Sequence, residues 1–280
     1  MPHVAVLAPQ TIGTTMQHTI SLAQMHVVLG DPATNLKKAD EWTAEAARRD
    51  SDLIVFPEMW TTGLDWPNLK ALSAGQDEVI KAVAGLAKKY GIWLNGSMLA
   101  LDDKGQPTNT SILFDPQGQQ MGVYRKIHLF GLMNEDQYLA PGQRLTTVET
   151  PWGRSGLAIC YDLRFPEMFR TYALAGVTMV YLPSAWPYPR LTHWRTLLRA
   201  RAIENQMYVV AVNQVGSDGT YDFFGHSAII DPWGELVVEA GETEVLLTAT
   251  IETERVAEAR QKIPVFKDRR PDLYQLDREQ

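Results

Sequence analysis

The sequence predicts an α/β protein in which helices cover a mixed sheet system. Three observations carry this. Apolar runs of strand length alternate with stretches of helical period along most of the chain. Two Asp-Pro-x-Gly turns, Asp115-Pro116-Gln117-Gly118 and Asp231-Pro232-Trp233-Gly234, each join strand candidates into a hairpin. The two halves share one grammar, each with a strand-helix unit whose strand ends in a polar residue, and no linker rich in Gly, Ser or Pro divides them. One domain with two sheets is the economical arrangement.

Residues 1–18 have mixed polarity and few patterning cues, and read as an extension, mobile or packed on a neighbour. The first strand falls at 20–28 and ends at the turn Gly30-Asp31-Pro32. Leu36, Ala39, Trp42, Ala46 and Ala47 stand at helical spacing within a helix over 35–49. A short apolar strand at 52–56 runs into Pro57-Glu58. A helix over 76–90 stops at Gly91, and strands follow at 93–99, 110–114 and 122–125. In the second half, 157–159 is a buried strand, 167–175 a helix and 178–182 a strand ending at Pro183. Leu191, Trp194, Leu197, Leu198, Arg201 and Ile203 give a helix over 190–205 a partly apolar face. Strands at 208–212, 227–230, 235–238 and 245–249 and a helix at 252–261 complete the pattern. The domain is expected to span 19–280, with a tail rich in Pro and Arg at its end.

Composition removes several function classes. The formal net charge is −7 and no basic block is present, which argues against nucleic acid as a partner. No apolar run is long enough to span a bilayer, and the first twenty residues lack the basic start and apolar centre of a secretory signal. One cysteine in 280 residues excludes an intrachain disulfide framework and fits a reducing cytosol, so a cytoplasmic location is expected. HExxH, paired CxxC, GxxxxGK[ST] and a helix-opening GxGxxG are all missing, and the six histidines show no metal-ligand spacing.

That lone Cys160 stands between an apolar strand and a helix, in Leu157-Ala158-Ile159-Cys160-Tyr161-Asp162-Leu163-Arg164-Phe165-Pro166-Glu167. A free cysteine is commonly a small buried hydrophobe. The flanking Asp162 and Arg164 argue instead for a nucleophile, and a helix mouth would favour its thiolate. Glu58 closes Leu53-Ile54-Val55-Phe56-Pro57, where partial desolvation would raise its pKa towards that of a general base. Solvent exposure at the strand end is the competing reading. Adjacent strand residues point to opposite faces, so only one of Arg125 and Lys126 can face the interior, and the competing reading is that both are ordinary surface charges. Glu135 falls in a loop, Gly131-Leu132-Met133-Asn134-Glu135-Asp136, and carries little weight alone.

Together and in order, Leu53–Glu58, Tyr124-Arg125-Lys126-Ile127-His128 and the Cys160 stretch resemble the carbon–nitrogen hydrolase (nitrilase) superfamily. The likeness extends from about Ile20 through Ala200–Gln206, Gly225-His226-Ser227 and the tail from Ile263 to Tyr274. It implies a four-layer α-β-β-α sandwich, a Glu58-Lys126-Cys160 triad with Glu135 as a second active-site glutamate, and pairing through helices beside the nucleophile into homodimers or larger homo-oligomers. On that reading Glu58 takes the thiol proton. Lys126 and the Tyr161 backbone N–H hold the developing oxyanion, and no metal or organic cofactor is required.

The Tyr161-Asp162-Leu163-Arg164-Phe165-Pro166 run is similar to the amidase branch, especially omega-amidases acting on monoamides of dicarboxylic oxo acids. Arg164 and Arg190 are candidate anchors for a substrate carboxylate, and Tyr161 and Trp186, with Trp60, candidate pocket walls. Two readings stay open for Arg164, since an ion pair with Asp162 or Glu167 would make it structural. Three functions compete with the omega-amidase: a general aliphatic amidase or nitrilase, a Cys-His hydrolase using His128, His193 or His226, and a non-catalytic oligomeric binding protein on the same fold.

Overall fold

The computed structural model describes residues 17–274. Most of the 1–18 extension therefore lies outside the described residues, but Gln17 and His18 already belong to the first strand. The chain runs β1 (Gln17–Gln24), α1 (Pro32–Arg48), β2 (Leu53–Val55), α2 (Leu69–Ala74), α3 (Gln76–Tyr90), β3 (Trp93–Leu101), β4 (Pro107–Phe114) and β5 (Gln120–Arg125). It continues through α4 (Glu135–Tyr138), β6 (Thr147–Thr150), β7 (Gly153–Leu157), α5 (Pro166–Leu174), β8 (Met179–Ser184), α6 (Leu191–Asn205) and β9 (Tyr208–Asn213). A hairpin of β10 (Val215–Ser217) and β11 (Asp222–Phe224) precedes β12 (Ala228–Ile230), β13 (Leu236–Glu239) and β14 (Val245–Glu252). Helices α7 (Glu254–Lys262) and α8 (Val265–Asp268) end the described chain.

Two six-stranded sheets form, ordered β14-β1-β2-β3-β4-β5 and β13-β12-β9-β8-β7-β6. Strand alternation sorts their side chains into layers. Ile20, Leu22, Leu53, Val55 and Leu113 point to a core shared with the second sheet, whose members include Leu157, Met179 and Tyr181. Their neighbours Ala23, Ile54, Ile112 and Phe114 point the other way, onto Ala39 and Ala46 of α1 and Val83 and Leu86 of α3. On the far side Phe169 and Tyr172 of α5 and Trp194 and Leu198 of α6 cover the second sheet. The result is helix, sheet, sheet, helix, the four-layer sandwich of the sequence reading.

The shared grammar of the halves is a structural repeat. β1-β2-β3-β4-β5 and β7-β8-β9-β12-β13 have the same order and directions. Leu53 pairs with Trp93 as Met179 pairs with Tyr208. Asp115 caps its turn by accepting the Gln117 and Gln119 N–H groups, as Asp231 accepts those of Trp233 and Glu235. By this correspondence Glu58 matches Ser184, Cys160 matches Met25 and Lys126 matches Glu242. Only one of the two related ends carries the triad residues.

Where the edges of the two sheets meet, the Val148 side chain packs so closely on Gly122 that a Cβ there would overlap Val148 Cγ2. Gly122→Ala is expected to cost about 1–3 kcal/mol of stability, read from urea unfolding. An unchanged midpoint would mean that the edges part freely.

Candidate active site

Carboxyl ends of parallel strands open a crevice in α/β folds, and the predicted residues collect there. Glu58 lies three residues beyond β2, Cys160 three beyond β7 and Ala185 immediately after β8. Lys126 follows β5, with its N–H bonded to the Asn109 carbonyl of β4 at 2.9 Å. Glu135 opens the short α4 instead of sitting in a plain loop, and its carbonyl accepts the Leu139 N–H.

The Lys126 ammonium is wholly buried and donates to Glu58 Oε1 at 2.6 Å and to Glu135 Oε1 at 2.7 Å. Burial opposes its charge, but Glu135 and Glu58 outweigh this and hold its pKa above the ordinary lysine value. Arg125, one residue earlier, faces outward and pairs with Asp103 at 3.0 Å, as strand alternation requires. Glu58 is fixed on every side. Asn109 Nδ2 donates to Oε1 at 2.7 Å, the Ala185 N–H to Oε2 at 2.8 Å, and Gln214 Nε2 to the Glu58 carbonyl. Glu135 also accepts the Phe130 N–H at 3.0 Å, and burial pushes its carboxyl upward, with Glu58 adding to the rise and Lys126 opposing it.

Cys160 departs from expectation in one respect. The helix dipole does not reach it, because α5 begins only at Pro166 and Cys160 opens a tight turn over Cys160–Arg164. Burial, the Glu58 carboxylate and Glu135 push the thiol well above its ordinary value, with Lys126 pulling the other way. The balance of these groups favours the neutral thiol over the thiolate. Its backbone is left-handed, φ +45°, as is that of Met59 beside Glu58, φ +46°. Such conformations cost about 1–3 kcal/mol each and persist where surrounding structure imposes them. None of the hydrogen bonds among the described residues uses the Tyr161 N–H, which leaves a donor beside the sulfur.

A narrow cleft leads to Cys160, walled by Tyr161, Arg164, Trp186 and Arg190 together with Phe130. All four predicted substrate-binding residues thus share one space with the thiol. Neither arginine pairs with a carboxylate among the described residues. Arg164 stacks on Trp186, 4.7 Å from its ring centre, and bonds His193 at 3.4 Å, while Arg190 lies over Phe130. Trp60 is core, fully buried and stacked on Phe56.

The histidines serve elsewhere. His128 Nδ1 bonds Asp162 at 2.7 Å, His193 bonds Arg164, and His226 sits against Glu239 at 2.9 Å. The charged groups acting on Cys160 are Glu58, Lys126 and Glu135. Sequence reasoning missed Asn109 and Gln214 as supports of Glu58. The signal for Asn109 was the polar run Thr108-Asn109-Thr110-Ser111 leading into the apolar Ile112-Leu113-Phe114, while Gln214, between β9 and β10, gave none. Among the described residues, no group of His, Cys, Asp and Glu is arranged to hold a metal ion, and no helix is long and apolar enough to cross a membrane.

Fold and site together define a hydrolase class built on a buried carboxylate, ammonium and thiol. Residues 19–261 match the carbon–nitrogen hydrolase model, and the chain belongs to that family. It is 41% identical over 260 residues to a 2-oxoglutaramate amidase of Bacillus subtilis (strain 168), covering 92% of this chain and 100% of that one. An omega-amidase of Homo sapiens is 34% identical over 258 residues, covering 87% and 92% of the two chains. A crystal structure of a mutant amidase from Nesterenkonia sp. AN1 carries the acetamide moiety of fluoroacetamide on its active-site cysteine. It superposes with a TM-score of 0.83 at 28% identity, covering 96% of this chain and 98% of that one.

Proposed function

We propose that the protein is an omega-amidase, a cysteine hydrolase that converts the terminal amide of a small carboxylic acid, such as a dicarboxylic oxo-acid monoamide, to acid and ammonia. The observation carrying this is the pair of guanidinium groups, Arg164 and Arg190, that find no carboxylate partner among the described residues in the cleft that reaches Cys160. A buried Glu58-Lys126-Cys160 set with Glu135 behind it supports the chemistry, and the 2-oxoglutaramate amidase and omega-amidase relatives support the substrate class.

The steps follow from the proton positions. Sγ of Cys160 attacks the amide carbon as Glu58 takes the thiol proton. The carbonyl oxygen becomes an oxyanion held by Lys126 Nζ and the Tyr161 N–H. Collapse expels ammonia with the proton returned from Glu58, leaving a thioester on Cys160. Glu58 then deprotonates a water that attacks the thioester, and the acid departs as the thiol regains its proton. Glu135 keeps Lys126 aimed between the two carboxylates. We further propose that the described residues form one domain, which takes in Gln17 and His18 ahead of the expected start at 19, and that the protein is cytoplasmic and forms a homodimer or larger homo-oligomer through α5 and α6, where Leu174 and Ile203 are exposed.

Losing a charge-assisted contact to a carboxylate costs about 1.5–3 kcal/mol, roughly ten- to hundredfold in kcat/KM. Arg164→Met and Arg190→Met should show that loss for the acid-bearing amide while leaving a neutral amide of equal size nearly unchanged. Thermal unfolding controls for Arg164, whose stacking on Trp186 also braces the cleft. A wild-type preference for neutral amides, or equal losses on both substrates, would make a general aliphatic amidase the better description.

A further inference from the structure

Two residues after the nucleophile, Asp162 is completely buried with both oxygens engaged. Its Oδ2 accepts the Ile159 N–H at 2.8 Å and the Tyr124 hydroxyl at 2.7 Å. Its Oδ1 meets the His128 N–H at 3.2 Å and His128 Nδ1 at 2.7 Å. Ile159 immediately precedes Cys160, and Tyr124 and His128 stand two residues before and two after Lys126. One carboxylate therefore spans from the thiol's own turn to both flanks of the residue carrying the ammonium, across the gap between the two sheets. His128 is held in turn by stacking on Phe165, with ring centres 3.6 Å apart and planes 9° apart. Phe165 ends the same turn that Cys160 opens.

We propose that Asp162 is a positioning residue that sets Cys160 against Lys126 and holds the left-handed backbone at the nucleophile. The inference rests on the triad reading above. Four donors converge on a fully buried acceptor, so the turn cannot shift without leaving a buried polar group unpaired. The Ile159 N–H is the bond that acts on Cys160 directly, since it fixes the peptide preceding the strained φ. The Tyr124 and His128 bonds transmit the position of the lysine strand. Among the described residues, the titratable groups bonded to Asp162 are the Tyr124 hydroxyl and the His128 imidazole.

Misplacing reacting groups by about 1 Å can cost about a hundredfold in rate without changing ground-state binding. Asp162→Asn keeps the shape of the side chain but presents an N–H₂ group to donors on one side. The expected result is a fall in kcat of about ten- to hundredfold with KM within about threefold of wild type, in protein shown by circular dichroism to be folded at the assay temperature. Tyr124→Phe and His128→Ala each remove part of the span and should lower kcat less, about three- to tenfold. Alkylation of Cys160 by iodoacetamide, compared under conditions where added sub-denaturing urea leaves its rate unchanged, reports the thiol in the folded state and so separates positioning from loss of stability. In folded Asp162→Asn, its pH profile should shift towards that of a free cysteine as the thiol leaves Glu58. Folded Asp162→Asn with kcat within twofold of wild type and an unaltered alkylation profile would overturn the proposal. Should that variant fail to fold, unchanged kcat in both Tyr124→Phe and His128→Ala would do so. Turnover retained by Cys160→Ala would sink the underlying triad instead, so the two failures are separable.

Discussion

Cys160→Ala is expected to abolish amide hydrolysis while leaving a folded protein. The thiol is the atom that becomes covalently bonded to the acyl group, so its loss removes the whole two-step route, and the fall in kcat should be at least about 10⁴-fold. Structural cost should be small. Only the sulfur is deleted, from a residue already 6% exposed, and alanine tolerates the left-handed backbone no worse than cysteine does. Unfolding of the variant should stay within about 1–2 kcal/mol of wild type. Ammonia release by glutamate dehydrogenase coupling, with 2-oxoglutaramate and succinamate as substrates, measures the activity. Appreciable turnover by folded Cys160→Ala would end the covalent mechanism and return the fold to the binding-protein reading. Because burial and Glu58 push the wild-type thiol upward, its alkylation at neutral pH should also be slower than that of an exposed cysteine.

Much of the architecture was legible because strands and helices in this chain bury different faces at different periods. The helix over 76–90 was read to its ends, since Gly91 takes the left-handed conformation that stops it, φ +64°. Other boundaries slipped for identifiable reasons. Apolarity predicts the first strand to residue 28, but Met25 leaves the ladder and gives its carbonyl to the Val215 N–H, and the Val28 N–H bonds the Asn35 side chain. Apolarity continued where pairing did not. The opposite error starts β4 late: Thr108 and Asn109 look like turn residues, yet they are buried within the strand. Short elements such as β6, α2, α4 and the β10–β11 hairpin offer too few residues for any period to show.

At the site, residue types were legible and their mutual restraint was not. Glu58 and Cys160 stand out as polar groups at the ends of apolar strands, whereas Lys126 and Glu135 enter only through the resemblance of the ordered motifs to the family. What holds them comes from far along the chain: Asn109, Ala185 and Gln214 on Glu58, and Tyr124 and His128 on Asp162. No local pattern encodes a contact across 127 positions such as Ala185 to Glu58. The helix-dipole argument for a thiolate failed for a related reason. It takes Cys160 as the mouth of a helix over 167–175, whereas a separate turn over Cys160–Arg164 intervenes, and burial with Glu58 outweighs any pull towards the thiolate.

Lys126→Gln should lower kcat by about 10²–10³-fold with a much smaller effect on KM, whereas Arg125→Gln should leave both near wild type. The asymmetry comes from one step along a strand. Lys126 faces two carboxylates in the interior, and Arg125 pairs with Asp103 at the surface. An ammonium aimed at the nascent oxyanion stabilises the transition state more than the neutral amide, so the loss belongs in kcat. Stability must be followed as well. Without the cation, Glu58 and Glu135 are left as two buried carboxylates in one cluster, a change that costs about 3–5 kcal/mol at neutral pH. Burial and Glu58 already raise the Glu135 carboxyl while Lys126 opposes them, so removing Lys126 raises it further. A carboxyl whose folded pKa exceeds its unfolded one favours the folded state at low pH, and that contribution disappears as pH rises through the folded value. The destabilisation of Lys126→Gln relative to wild type should therefore be smaller at pH 5 than at pH 8. Equal rate losses in Lys126→Gln and Arg125→Gln, or a stability deficit that grows towards acid pH, would show that the ammonium does not balance those two carboxylates.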